Sequence, residues 1–120
     1  MTFGILGSVF GFLGVALGAF GAHALKDRLI PEDMAIFETA VHYQMVHALA
    51  LLAVALLVGR GESGPSALAG WAFVTGIVLF SGSLFVLVLT GERWLGAVTP
   101  VGGVSFLLGW LALGWSFFRG

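Results

Sequence analysis

Phe3-Gly4-Ile5-Leu6-Gly7-Ser8-Val9-Phe10-Gly11-Phe12-Leu13-Gly14-Val15-Ala16-Leu17-Gly18-Ala19-Phe20-Gly21-Ala22-His23-Ala24 carries glycine at alternating steps of three and four residues. That spacing lines Gly4, Gly7, Gly11, Gly14, Gly18 and Gly21 along one side of an α-helix. In water each of these glycines would cost the helix about 1 kcal/mol relative to alanine. In lipid the same row becomes a groove that admits another backbone, and Gly7/Gly11 and Gly14/Gly18 are GxxxG steps within it. The row predicts tight helix packing and brings no reactive group.

The rest of the chain has the same character. Of 120 residues, 59% are hydrophobic and 9% charged, and the mean hydropathy is +1.08. A water-soluble domain carries about 25% charged residues, so the composition describes an integral membrane protein, with one membrane domain over residues 1–120. A net charge of −1 gives nucleic acid no electrostatic hold. The absence of cysteine excludes disulfides, thiolate catalysis and cysteine-ligated metals. Ala22-His23-Ala24 imitates a signal-peptide cleavage site. No basic segment precedes the apolar run, however, and the run exceeds the usual h-region of about 7–15 residues. The segment is expected to stay as a membrane helix.

A span needs about 20 mostly apolar residues, and four stretches qualify: about 3–24, 34–58, 66–90 and 95–118. Between them lie the charged link from Leu25 to Asp33, the turn from Gly59 to Pro65, and Gly91-Glu92-Arg93. Glu32 and Asp33 suit the start of the second helix, and Pro100 is tolerated in the first turn of the fourth. Short links make neighbours antiparallel, which predicts an all-α, up-down-up-down four-helix bundle in the membrane. Both termini then share one side. Lys26, Arg28 and Arg93 flank the first and third links, against Arg60 and Arg119 opposite, so the positive-inside rule favours cytoplasmic first and third links. Trp71, Trp94 and Trp115 near the span ends fit an interfacial aromatic belt.

Phe37-Glu38-Thr39-Ala40-Val41-His42-Tyr43-Gln44-Met45-Val46-His47 is the unusual polar stretch within a span. Ionisable groups inside a membrane are costly and face the bundle interior. Glu38 and His42 share one face, while Tyr43, Gln44 and His47 lie on another, so the second helix should contact at least two neighbours. On the link side, Glu38, His42 and His23 can be read as a protonatable relay, or as a charge network with Lys26 and Arg28 that fastens the first link to the bundle. At mid-span, His47, Ser81 and Ser83 fall at similar depth, as a proton or ligand site or as interhelical glue worth about 0.6–2 kcal/mol per bond.

His42 and His47 point about 140° apart on one helix, so they cannot hold a single metal between them. HExxH, Walker A, a strand-to-helix GxGxxG and a G-x-S-x-G elbow are all missing. No catalytic residue, metal or cofactor is expected, and no enzyme activity. Ser81-Gly82-Ser83 reads as a small-residue packing notch.

Several blocks carry a family likeness: Gly18-Ala19-Phe20-Gly21-Ala22-His23, Tyr43-Gln44-Met45-Val46-His47-Ala48-Leu49, Phe80-Ser81-Gly82-Ser83-Leu84, and Leu89-Thr90-Gly91 followed by Leu95-Gly96-Ala97-Val98-Thr99-Pro100-Val101-Gly102-Gly103. In these the chain resembles domain of unknown function family 423, small four-span membrane proteins of bacteria with related small transmembrane proteins in eukaryotes. The likeness covers essentially the whole chain. Phe85 stands where the family pattern often has tyrosine. The resemblance implies a bacterial inner-membrane location and lends no catalytic residues.

Together these readings predict a multi-pass protein that acts through packing and association, in contact with lipid. It would form a homo-oligomer, with a trimer expected, or join a larger membrane complex. The alternatives are a proton or solute conduit lined by Glu38, His42, His47 and Ser81, and a lipid- or quinone-binding protein using Phe106, Trp110, Trp115, Phe117 and Phe118.

Overall fold

The computed structural model describes residues 1–61 and 64–119; Glu62 and Ser63 of the second link, and Gly120, lie outside the described residues. Helix α1 (Thr2–Leu25) is the glycine-rich run. Helix α2 (Pro31–Gly59) opens on Pro31, whose fixed φ and missing N–H suit a first helical position, with Glu32 and Asp33 in its first turn. Helix α3 (Pro65–Thr90) also begins on proline. It stops at Gly91, whose φ of +77° lets its N–H close on the Leu87 carbonyl at 2.7 Å. A 3-10 turn, Arg93–Ala97, precedes α4 (Thr99–Arg119), so residues 95–97 of the fourth predicted span lie in that turn.

All four segments are long and apolar enough to cross a bilayer, and no strand occurs among the described residues. Contacts along the helices establish the alternating direction. Gly4 lies by Ala55 and Gly21 by Phe37; Phe37 meets Phe85 while His47 meets Phe73; Phe80 abuts Gly102 while Ser66 reaches Ser116. The fold is an up-and-down four-helix membrane bundle. It is flattened, 48 × 26 × 18 Å, with α1 leaning on α2 and α4 on α3. Phe3, Leu51, Val54, Phe73, Ile77, Phe106 and Leu113 bring all four helices into one core. Helix α1 contributes least, burying only Phe3, Gly7 and Gly14.

The structure distributes the glycine row unevenly. A Cβ at Gly7 would stand 3.0 Å from the Ala48 carbonyl oxygen, and Gly14, Gly18 and Gly21 would meet Met45, Val41 and Phe37. These four, with Gly4, face α2 of the same chain. Gly11 departs from the row: nothing lies within 4 Å of a Cβ there. On ideal geometry it sits about 40° round from Gly7 and about 60° from Gly14, toward the rim of the seam. Main chains also approach closely between α4 and α3. A Cβ at Gly102 would run into the Phe80 main chain and stand 2.9 Å from the Leu79 carbonyl carbon.

Two wide π-helical turns interrupt α1 at Ala16–Gly21 and α3 at Ile77–Ser81. Both flank the same stretch of α2. Gly18 and Gly21 touch Val41 and Phe37 from one side, while Ser81 and Phe80 touch Ala40 and Tyr43 from the other. Phe85 packs edge-on against Phe37 at 5.4 Å.

Candidate functional site

Helix α2 holds the polar groups, and the bundle closes around those on its inner side. His47 is 3% exposed. Its Nε2 lies 2.9 Å from Trp110 Nε1, and its Nδ1 lies 2.7 Å from the Tyr43 carbonyl oxygen. An indole N–H only donates, so Nε2 accepts and Nδ1 carries the proton that it donates to Tyr43. This arrangement describes a neutral imidazole with both nitrogens engaged. Its ring stacks on Phe106 at 3.6 Å between centroids, and Phe73 closes another side at 5.4 Å.

The remaining interior polar groups pin one helix to the next. Gln44 Nε2 donates to the Phe10 carbonyl of α1 at 2.9 Å. Ser81 Oγ donates to the Ala40 carbonyl of α2 at 2.7 Å. Ser105 Oγ donates to the Ala72 carbonyl at 2.7 Å, and Ser66 and Ser116 share a 2.6 Å hydroxyl bond, both between α3 and α4. Ser83 meets Thr99 at 2.6 Å where α4 begins. Among the described residues no buried side-chain nitrogen or oxygen lacks a partner.

These pairings give the mid-span groups other partners than their shared depth suggested. His47 does not bond to Ser81 or Ser83. Its partner is Trp110, one of the rings of the lipid- or quinone-binding alternative, and both serines bond elsewhere. Similar depth did not bring the three together, because they point to different neighbours around α2. The second helix does reach two neighbours, α1 through Gln44 and α4 through His47.

The link-side group also differs from expectation. His23, Glu38 and His42 are all exposed, and none forms a hydrogen bond or ion pair among the described residues. The ion pair found there joins Arg93 to Asp33 at 3.5 Å, so charge ties the third link, not the first, to the start of α2. Glu38 and His42 lie on the outer α1/α2 seam, lining a groove of about 330 Å³ with Gly18, Ala22, Phe37, Val41 and Met45. The same seam continues into a groove of about 450 Å³ around Gly7, Gly11, Met45, Ala48 and Leu49. Tyr43 is 40% exposed and opens onto a third groove, of about 440 Å³, with Phe80, Gly103 and Trp110. No cluster of three or more histidine, aspartate or glutamate side chains that could hold a metal occurs among the described residues.

Four membrane-length helices held by interior hydrogen bonds define a multi-pass helical membrane protein. In bacteria such spans belong to the plasma membrane, since the outer membrane hosts β-barrels. Residues 17–103 match the family described as "Protein of unknown function (DUF423)", and the chain belongs to that family. A relative named UPF0382 membrane protein from Staphylococcus epidermidis is 50% identical over 112 residues, covering 93% of this chain and 91% of that protein. UPF0382 membrane protein YwdK of Bacillus subtilis is 45% identical over 113 residues, covering 93% and 92%. UPF0382 membrane protein SH2409 of Staphylococcus haemolyticus is 44% identical over 115 residues, covering 96% and 93%. No solved structure matches the chain.

Proposed function

We propose that the chain is a non-catalytic membrane scaffold that works by association, with copies of itself or within a larger membrane complex. The observation that carries this reading is the closure of the interior hydrogen bonding. His47 uses both ring nitrogens, and every buried polar side-chain atom among the described residues has a partner. A conduit needs successive free donors and acceptors along a path, and these are committed to holding helices. Glu38 and His42 lie on the outer seam while His47 and Ser81 are buried against other helices, so the four do not line one route.

The test is native mass measurement of the protein in lipid nanodiscs, paired with proton and solute flux in liposomes. The expected result is a discrete homo-oligomer with flux equal to that of empty vesicles. Proton flux that disappears in Glu38→Gln would overturn the scaffold in favour of a conduit. The aromatic groove at Tyr43, whose hydroxyl forms no hydrogen bond among the described residues, favours a second reading as a binder of lipid or quinone-like molecules. A stoichiometric small molecule retained in the same mass spectrum is the result that would support it.

A further inference from the structure

We infer that the α1/α2 seam around Glu38 and His42 is where a second copy of this chain docks, Glu38 of one copy pairing with His42 of the next. The inference rests on the association proposed above and assigns it a surface and an occupant.

Depth makes the first part of the argument. The Asp33–Arg93 ion pair marks the polar boundary at one end of the bundle. Along α2 from Asp33, Glu38 lies five residues deeper and His42 nine, about 7–8 Å and about 13–14 Å at the helical rise. Beside them α3 remains apolar as far as Leu89. Both side chains are exposed and unbonded among the described residues, so an isolated copy would present a carboxyl and an imidazole to acyl chains. Ionisable groups in spans face protein or water, because hydrocarbon offers them no partner. This face therefore calls for protein cover.

The chemistry of the face selects a second copy as that cover. It carries an acidic group and a basic group one helical turn apart, so it is complementary to itself. Copies inserted in the same orientation are related by a rotation axis along the membrane normal, which leaves Glu38 of one copy and His42 of the next about 6 Å apart in depth, one helical turn that the two side chains bridge by reaching toward each other. The seam leaves room for the approach. Gly11 has nothing within 4 Å of a Cβ position, and the groove beside it holds about 450 Å³. Phe12 and Leu49 flank that groove at 74% and 64% exposure.

The cysteine-free chain provides a direct test. Single Phe12→Cys and Leu49→Cys variants, oxidised in native membranes, should give disulfide-linked dimers. Leu89→Cys on α3 and Leu111→Cys on α4 should not. Adding Glu38→Gln or His42→Leu to Leu49→Cys should cut cross-linking about tenfold, within the range of interhelical polar contacts. The exchanged pair Glu38→His/His42→Glu should restore it. Unchanged helicity and Trp fluorescence would show that each variant folds, and Glu38→Gln keeps the side-chain shape should His42→Leu misfold. Oligomers that cross-link through Leu89 or Leu111 instead would overturn the seam while leaving association standing. A monomer at every protein-to-lipid ratio would remove association itself. Single variants that cross-link like the parent would overturn the Glu38–His42 pairing.

Discussion

Trp110 has one proton to give, and His47 Nε2 is positioned to take it at 2.9 Å. Because His47 is buried, losing that donor leaves an imidazole nitrogen with no replacement from water. Trp110→Phe should therefore lower stability by about 1–2 kcal/mol. The double variant Trp110→Phe/His47→Leu, which removes both partners, should lose less than the two single changes summed. Denaturant titrations in micelles, followed by circular dichroism, measure both; strict additivity would mean that the bond contributes nothing. His47 was visible in the sequence through its desolvation cost alone. Its partner was not, because depth can be counted along a helix whereas the direction around it depends on the packing of all four. Ser81 had the right depth for His47 and instead bonds the Ala40 carbonyl. Gln44 ties α2 to the Phe10 carbonyl, a neighbour that its place in the polar stretch does not name.

Helix pairing turns on where main chains come close. At Gly102 the obstacle to a methyl group is the Phe80 backbone, which cannot rotate aside. Gly102→Ala must push α4 away from α3 and should cost about 1–3 kcal/mol. Gly11→Ala enters open space and should change stability by less than about 0.5 kcal/mol. Thermal unfolding of the two variants in the same detergent makes the comparison, and equal losses would refute the assigned crossing. The alternation of threes and fours defines a glycine-lined side of α1 and names no neighbour for it. It could not show that Gly11 lies at the rim, nor that main chains also approach closely at Gly102, which stood in a glycine pair near the start of a span. The hairpin directions followed from short links, since a few residues cannot carry the chain back across a bilayer. The wide turns left no mark in the hydrophobic pattern, because both lie inside continuous apolar runs.

An even number of spans puts both ends of the chain on one side, and basic residues favour keeping the first and third links in the cytoplasm. Alkaline phosphatase fused after Gly120 should therefore be active, and the same enzyme inserted beside Asp27 should be inactive. The reverse pattern would show that Arg60 and Arg119 outweigh Lys26, Arg28 and Arg93. The overall shape depends on register as much as on charge. Between Ala16 and Gly21 the backbone coils more loosely than an α-helix, taking in extra chain per turn. Deleting one residue there lets the wide turn tighten to α-helical width, so Thr2–Val15 keeps its facing, with Gly7 and Gly14 still against Ala48 and Met45. Deleting one residue between Gly7 and Gly14, where the helix is regular and has no slack, would instead turn the preceding segment by about 100° about its own axis. The first helix can thus spare a codon from its loose coil but not from the regular turns before it.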